Sequence, residues 1–245
     1  MTEEQNTNPL LVPLSIIIAG AIIGGSLYFK GDIKTGDTGT DVKTDISDIK
    51  VEITKNDYIF GSKDSLVMIV EFSDTECPYC KNFHKSLIEV LPEYEGKISW
   101  VYRHLPLPQL HPKAPREAEA TECAGELGGN DMFWAYTNRL FEITPSNNGL
   151  EDSQLPEIAE TVGLDKDKFI ECLNSGDMTK RVTEDSEGAV QIIQKFINVG
   201  LARGVGTPFS VLIDKDGKII TPIPGAVGAD VLRQTFNQAL EEQKQ

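Results

Sequence analysis

Histidine is scarce in this 245-residue chain, with three copies, cysteine occurs four times, and 23 Lys and Arg face 38 Asp and Glu, a formal charge of -15. So few cations exclude a nucleic-acid binder, because phosphate contacts need clustered Lys and Arg that release counterions. Four cysteines are too few to staple a chain of this length, which excludes a disulfide scaffold. No internal repeat is visible. The apolar fraction of 40% is ordinary, and it provides core for one large domain or two small ones.

Long uncharged apolar runs are also missing, with one exception. Leu10 to Phe29 carries no charge over twenty residues, enough at helical rise to cross a bilayer. The run reads as a single-pass membrane anchor behind a short tail, residues 1–9. Ala19-Gly20-Ala21 has the form of a signal-peptidase site, but it lies inside the apolar run, which favours an uncleaved anchor. Glu3 and Glu4 before the span, with Lys30 and Lys34 after it, weakly favour a cytoplasmic body. Cysteine usage argues for the reverse, a body on the extracytoplasmic side. Residues 30–48, rich in Gly, Thr and Asp, read as a flexible tether.

The folded part, 49–245, opens with a short β pattern near Ile49 to Ile53. The continuous apolar run Leu66 to Phe72, interrupted only by Glu71, has the character of a buried central strand. Cys77-Pro78-Tyr79-Cys80 follows at once, with Pro78 suited to the first turn of a helix and Phe83, Leu87, Ile88 and Leu91 continuing at helical spacing. Ile98 to Tyr102 is a second strand, so strand, helix, strand implies a parallel unit. The pattern is then helical from 113 to 199: Ala114 to Leu127, Met132 to Phe141, Leu155 to Val162, Lys166 to Leu173 and a long stretch to Phe196, with turns at Gly128-Gly129 and Ser146 to Gly149. Strands at Phe209 to Ile213 and Lys218 to Ile223 form a hairpin, and a last helix runs from Ala229 to Leu240. The expected fold class is α/β, a small sheet domain split by a helical insertion.

Cys77 at a helix N-terminus meets the positive end of the dipole and free backbone N–H groups, so its thiol pKa should fall. Cys80, one turn inward, is placed as a buried resolving thiol. The competing reading, half of a zinc site, needs two further close ligands that three His and two distant Cys poorly supply. Glu71 is either a buried carboxyl of raised pKa or an edge residue facing solvent. Cys123 and Cys172 are either a structural disulfide, in an oxidising compartment, or two separate small hydrophobes. His84 reads as a helix-surface residue, His104 and His111 as loop structure, and Phe133 with Trp134 as core of the helical region. No metal or cofactor is expected.

Val70 to Asp74 before Cys77-Pro78-Tyr79-Cys80, then Leu105-Pro106-Leu107, His111-Pro112, Glu122-Cys123-Ala124, Phe133-Trp134, Gly163-Leu164-Asp165, Cys172-Leu173 and Gly206-Thr207-Pro208-Phe209 make an ordered succession. In it the chain resembles the DsbA-type branch of the thioredoxin superfamily, from about Asp57 to Leu240. The resemblance implies a thioredoxin fold with a helical insertion and protein disulfide oxidoreductase activity outside the cytoplasm. It implies that Glu71 receives the Cys80 proton, that Thr207-Pro208 is a cis pair opposite the cysteines, and that Pro78, Tyr79, Thr207 and Pro208 contact substrate. The implied partners are client proteins with thiols and a membrane redox partner of the DsbB or VKOR kind. Tyr79 contributes no imidazolium, so the couple should be less oxidising than in relatives with His there. Gly204-Val205 joins Gly206 directly where the family has one residue more, which puts the shape of that loop in question. Reductase or isomerase action, and a noncatalytic binding module, are the alternatives.

Overall fold

The computed structural model describes residue 46 and residues 49–244. Among these no helix is long and apolar enough to cross a membrane; the expected anchor at 10–29 and nearly all of the tether lie outside the described residues. Five strands form one sheet in the order β1-β3-β2-β4-β5: β1 Tyr58–Phe60, β2 Val67–Ser73, β3 Ile98–His104, β4 Phe209–Asp214 and β5 Ile219–Pro224. β2 is central, parallel to β3 and antiparallel to β4, and all seven of its residues are buried. That is why its sequence runs apolar without alternation.

Between β2 and β3 lies α1, Pro78–Val90, and the chain ends in α6, Ala229–Glu242. These two helices cover one face of the sheet, where Phe83 and Leu87 of α1 and Leu232 and Phe236 of α6 join Ile69, Trp100 and Leu212 in one core. The other face takes Ile192, Ile193 and Phe196 of α5, Thr179–Asn198, against Val70, Phe72 and Val211. The insertion adds α2, Ala114–Ile143, α3, Gln154–Thr161, and α4, Lys166–Ser175, around a third core containing Tyr136, Leu140, Leu155 and Phe169.

Two sequence expectations change. The β pattern at Ile49 to Ile53 makes one bridge, Lys50 to Lys218, and no strand; β1 is a three-residue edge strand too short to show a period. The two helices expected on either side of Gly128-Gly129 are present, running together as α2 across a kink where Gly129 takes φ 72° and ψ -163°, a conformation open mainly to glycine. Phe133 and Trp134 leave the insertion core for the sheet core: Trp134 packs on Trp100 with ring centroids 4.6 Å apart, and Phe133 stacks on Tyr58 at 4.0 Å.

Cys123 of α2 and Cys172 of α4 are joined by a disulfide across a sequence separation of 49. The chain-entropy model puts such a loop at about 4 kcal/mol. Cys172→Ser should therefore lower the urea midpoint of unfolding by an amount corresponding to about that energy; an unchanged midpoint would show that helix packing alone holds the insertion together.

Candidate active site at the start of helix α1

The strand order sets the site. β2 ends at Ser73, and the turn Asp74 to Glu76 delivers the chain into α1 with Pro78 in its first turn. Asp74 shapes the turn: its Oδ1 accepts the Glu76 N–H at 2.8 Å, while Oδ2 accepts the Leu107 N–H at 2.8 Å and lies 3.0 Å from His111 Nδ1. Cys77 is the N-cap residue with φ -77° and ψ 121°, and its side chain caps no N–H. The sulfur thus stands at the open positive end of the helix.

The two thiols are unequal. Cys77 is 5% exposed and Cys80 is fully buried, so of the two only Cys77 retains any contact with solvent. A hydrogen bond from the Cys80 thiol, joined by the Cys80 backbone N–H, Thr207 and the Tyr79 N–H, outweighs burial and lowers the Cys77 pKa to about 6. When Cys77 is protonated its S–H donates to the Thr207 carbonyl at 3.5 Å. The thiolate has no proton to give, and the buried Thr207 hydroxyl, which has no other partner among the described residues, is then available to donate to it. Burial first, and then Cys77 and Glu71, raise the Cys80 pKa. Brief alkylation of the reduced protein at mildly acidic pH should accordingly modify Cys77 before Cys80, as read by peptide mapping; the reverse order would invert the assignment.

Glu71 lies in the central strand, fully buried, not at an edge. In register it sits between Tyr102 of β3 and Ser210 of β4, a polar row across three apolar strands. Among the described residues neither carboxyl oxygen has a hydrogen-bond partner at ordinary geometry. Burial pushes its pKa up to about 8, against smaller opposing effects of Ser73 and Trp100. Its influence on Cys80 places the acid within electrostatic reach of the inner sulfur. The Thr207-Pro208 peptide is cis and brings the Thr207 carbonyl to Cys77, while Tyr79 stands 66% exposed beside it.

Two histidines are placed differently from the sequence reading. His84 is buried on the inner face of α1, Nε2 2.8 Å from Asn138 Oδ1 and its ring against Trp100 and Phe141; burial lowers its pKa to about 4. The spacing Cys80, His84, Leu87 already marks that face. His104 ends β3 instead of lying in a loop, and its Nε2 is 3.1 Å from Glu122 Oε1. With Asp185 these residues bring three ligand atoms within 4.8 Å of one another. Arg181 Nε, 2.5 Å from Glu122 Oε2, already provides a cation there. Neither Cys77 nor Cys80 belongs to that group.

Asp74, Glu76 and Glu117 were not anticipated, and all three are at most 2% exposed. Acid in a turn and acid in the first turn of a helix both look like ordinary caps in a sequence.

The sequence profile described as Thioredoxin matches residues 53–194, more than half of the chain. Among solved structures, Wolbachia pipientis alpha-DsbA1 superposes with a TM-score of 0.63 at 16% identity, covering 79% of this chain and 95% of that one. Pseudomonas aeruginosa DsbA2 gives 0.59 at 23% identity, covering 76% and 96%, and oxidised BdbD from Bacillus subtilis 0.59 at 21%, covering 79% and 98%. A Na(+)/H(+) antiporter, NhaA 1 of Salinispora arenicola, is 35% identical over 150 residues, 60% of this chain. NhaA of Herminiimonas arsenicoxydans is 34% identical over 134 residues, 55% of this chain. This chain spans about a fifth of those two proteins' lengths, 22% and 20%. Taken with the strand, turn, cysteine, helix order around Cys77, the match over residues 53–194 establishes that the chain belongs to the thioredoxin family, and its helical insertion gives it the DsbA-type fold.

Proposed function

We propose that the protein is a thiol-disulfide oxidase for client proteins on the extracytoplasmic side of a membrane, tethered there by residues 10–29. The observation that carries the reading is the inequality of the two thiols, an N-capping Cys77 of lowered pKa against a sealed Cys80 of raised pKa. In the oxidised protein a client thiolate attacks Cys77 Sγ, the Cys77–Cys80 bond breaks, and Cys80 leaves and takes a proton. A second client thiolate then attacks the client sulfur of the mixed disulfide. The client gains its disulfide, giving up two electrons, and Cys77 departs as a thiolate that the helix N-terminus stabilises.

Protonated Glu71 serves as the acid for Cys80 in this direction, and its carboxylate serves as the base in the reverse one. An extended client segment pairs with the backbone of Thr207 beside the mixed disulfide, with Pro78 and Tyr79 as further contacts. A membrane redox partner of the DsbB or VKOR kind reoxidises the pair.

The test is the reduction potential against glutathione together with oxidation of a reduced client. A value toward the roughly -120 mV of DsbA supports the oxidase. A value near the roughly -270 mV of thioredoxin, with no client oxidation, would reassign the protein as a reductase.

A further inference from the structure

Beside the turn that leads into Cys77 lies a second group of acids that the exchange chemistry does not use. Glu76, directly before Cys77, is fully buried, and Glu117 in the first turn of α2 is 2% exposed. Glu117 is within hydrogen-bonding reach of the Glu76 and Thr75 side chains. Among the described residues, Glu76 Oε1 and both Glu117 oxygens have no hydrogen-bond partner at ordinary geometry. Two ionised carboxylates in contact and out of water repel strongly, so such a pair retains one proton between them.

The hydrogen bonds of Glu76 decide where that proton resides. Its Oε2 accepts the backbone N–H groups of Asn148 and Gly149, and its carbonyl accepts the Asn147 N–H at 2.8 Å. These donors occupy Glu76 Oε2, so the shared proton is carried by Glu117 and donated to Glu76. The loop so held is unusual: Ser146, Asn147 and Asn148 have φ of 64°, 52° and 65°. Three successive non-glycine residues in the left-handed region cost energy that the carboxylate must offset.

We propose that Glu117 is a positioning residue of the thiol site: it holds one proton in common with Glu76, keeps the turn before Cys77 joined to the Ser146 to Gly149 loop, and limits the negative charge beside that turn. The inference deepens the reading of Cys77 as the reactive thiol and rests on it. Loss of the shared proton places a second buried negative charge in the same space, loosens the loop from the turn and disfavours the Cys77 thiolate.

Other titratable groups surround the pair. Asp74 and Cys77 belong to the same turn, His111 contacts Asp74 from the loop before α2, and Tyr136 faces Glu117 from the far half of α2. Lys113 directs its ammonium to the Leu150 carbonyl and to Glu151. Burial and the neighbouring Glu76 raise the Glu117 pKa to about 9, which sets the range to examine.

Reduction of the protein by two glutathione thiols transfers two electrons and forms glutathione disulfide. Of the two protons released, one goes to Cys80 and one to solvent, because Cys77 remains a thiolate near neutrality. The new charge makes the pair hold its proton more tightly in the reduced protein, and by reciprocity an ionised pair makes the couple a weaker oxidant.

The experiment is the glutathione equilibrium constant of the full chain from about pH 7 to about pH 10, for wild type and for Glu117→Gln. The Gln amide donates to Glu76 at every pH. The two curves should superpose near pH 7 and separate by about fivefold at the alkaline end, the low end of site-to-site coupling, with wild type the weaker oxidant. Glu117→Asp, which restores a titratable acid, should recover the separation at a shifted midpoint. If Glu117→Gln does not fold, Glu76→Gln serves in its place: Glu117 then titrates without a charged neighbour, so the fall should move to lower pH than in wild type, and an unmoved fall would overturn the proposal. Curves that stay parallel throughout would overturn the proposal, since a purely structural acid changes stability and not the pH profile. The equilibrium is readable whichever way electrons flow in the cell, so a missing client oxidation with the separation intact would overturn the oxidase reading and support the role of Glu117.

Discussion

Cys80→Ser is expected to abolish client oxidation, since no Cys77–Cys80 bond can form, while its Cys77 thiolate still attacks a client's disulfide and releases one client sulfur as a thiolate, so that disulfide-bonded clients accumulate as mixed disulfides with Cys77. Cys77→Ser should lose turnover to the same extent and form no adducts. The drop should be at least on the order of 10³-fold, as for groups that act as one unit in covalent catalysis. The asymmetry follows from geometry: the Cys77 sulfur borders the Thr207 carbonyl and retains some contact with solvent, whereas Cys80 is sealed and accepts the Asp74 N–H at 3.5 Å. Non-reducing electrophoresis of acid-quenched reactions reads the result. Adducts forming through Cys80 in Cys77→Ser would reverse the roles of attacking and resolving sulfur.

Glu71→Gln should exchange activity for stability. A carboxyl whose folded-state pKa is raised contributes stability fully below its ordinary value and loses it as pH climbs through the folded value. For Glu71 that window runs from 4.5 to about 8. At pH 7 the buried acid costs about 3 kcal/mol, from 1.36 kcal/mol per unit over the interval above 4.5. The Gln variant, having no charge to suppress, should regain most of that at pH 7 and little near pH 5, as urea midpoints at the two values will show. Resolution of a Cys77 mixed disulfide by attack of Cys80, the direction in which the Glu71 carboxylate is the base, should slow by roughly 10²-fold, the lower end of general acid–base contributions. Equal pH slopes of stability in both proteins would mean that Glu71 is not the group titrating. An unchanged resolution rate would remove it from the proton path.

The proton groups divide by how far the sequence exposes them. Glu71 breaks an apolar run and is visible at once as an anomaly. Whether it is buried was open, because a strand's position in a sheet depends on which segments pair with it. Only the assembly of β3 and β4 on either side of β2 removes it from water. Glu117 and Glu76 lie forty-one positions apart and become a pair only when α2 folds back on the active-site turn.

What the sequence determined by itself is local. The apolar run, the turn, and Cys77 followed by Pro78 define strand, N-cap and helix within about twenty residues, because hydrophobic period and helix-terminus chemistry act over a few turns. The order of the helices in the insertion was legible for the same reason. The tertiary structure decided everything that depends on distant segments meeting. It turned His84 inward against Trp100 and Phe141, carried Phe133 and Trp134 from the insertion to the sheet, and joined Cys123 to Cys172. It also brought Thr207 to within 3.5 Å of a sulfur 130 residues away. Burial and long-range approach set both the pKa values and the geometry of this site, and neither is encoded in the spacing of residues along the chain.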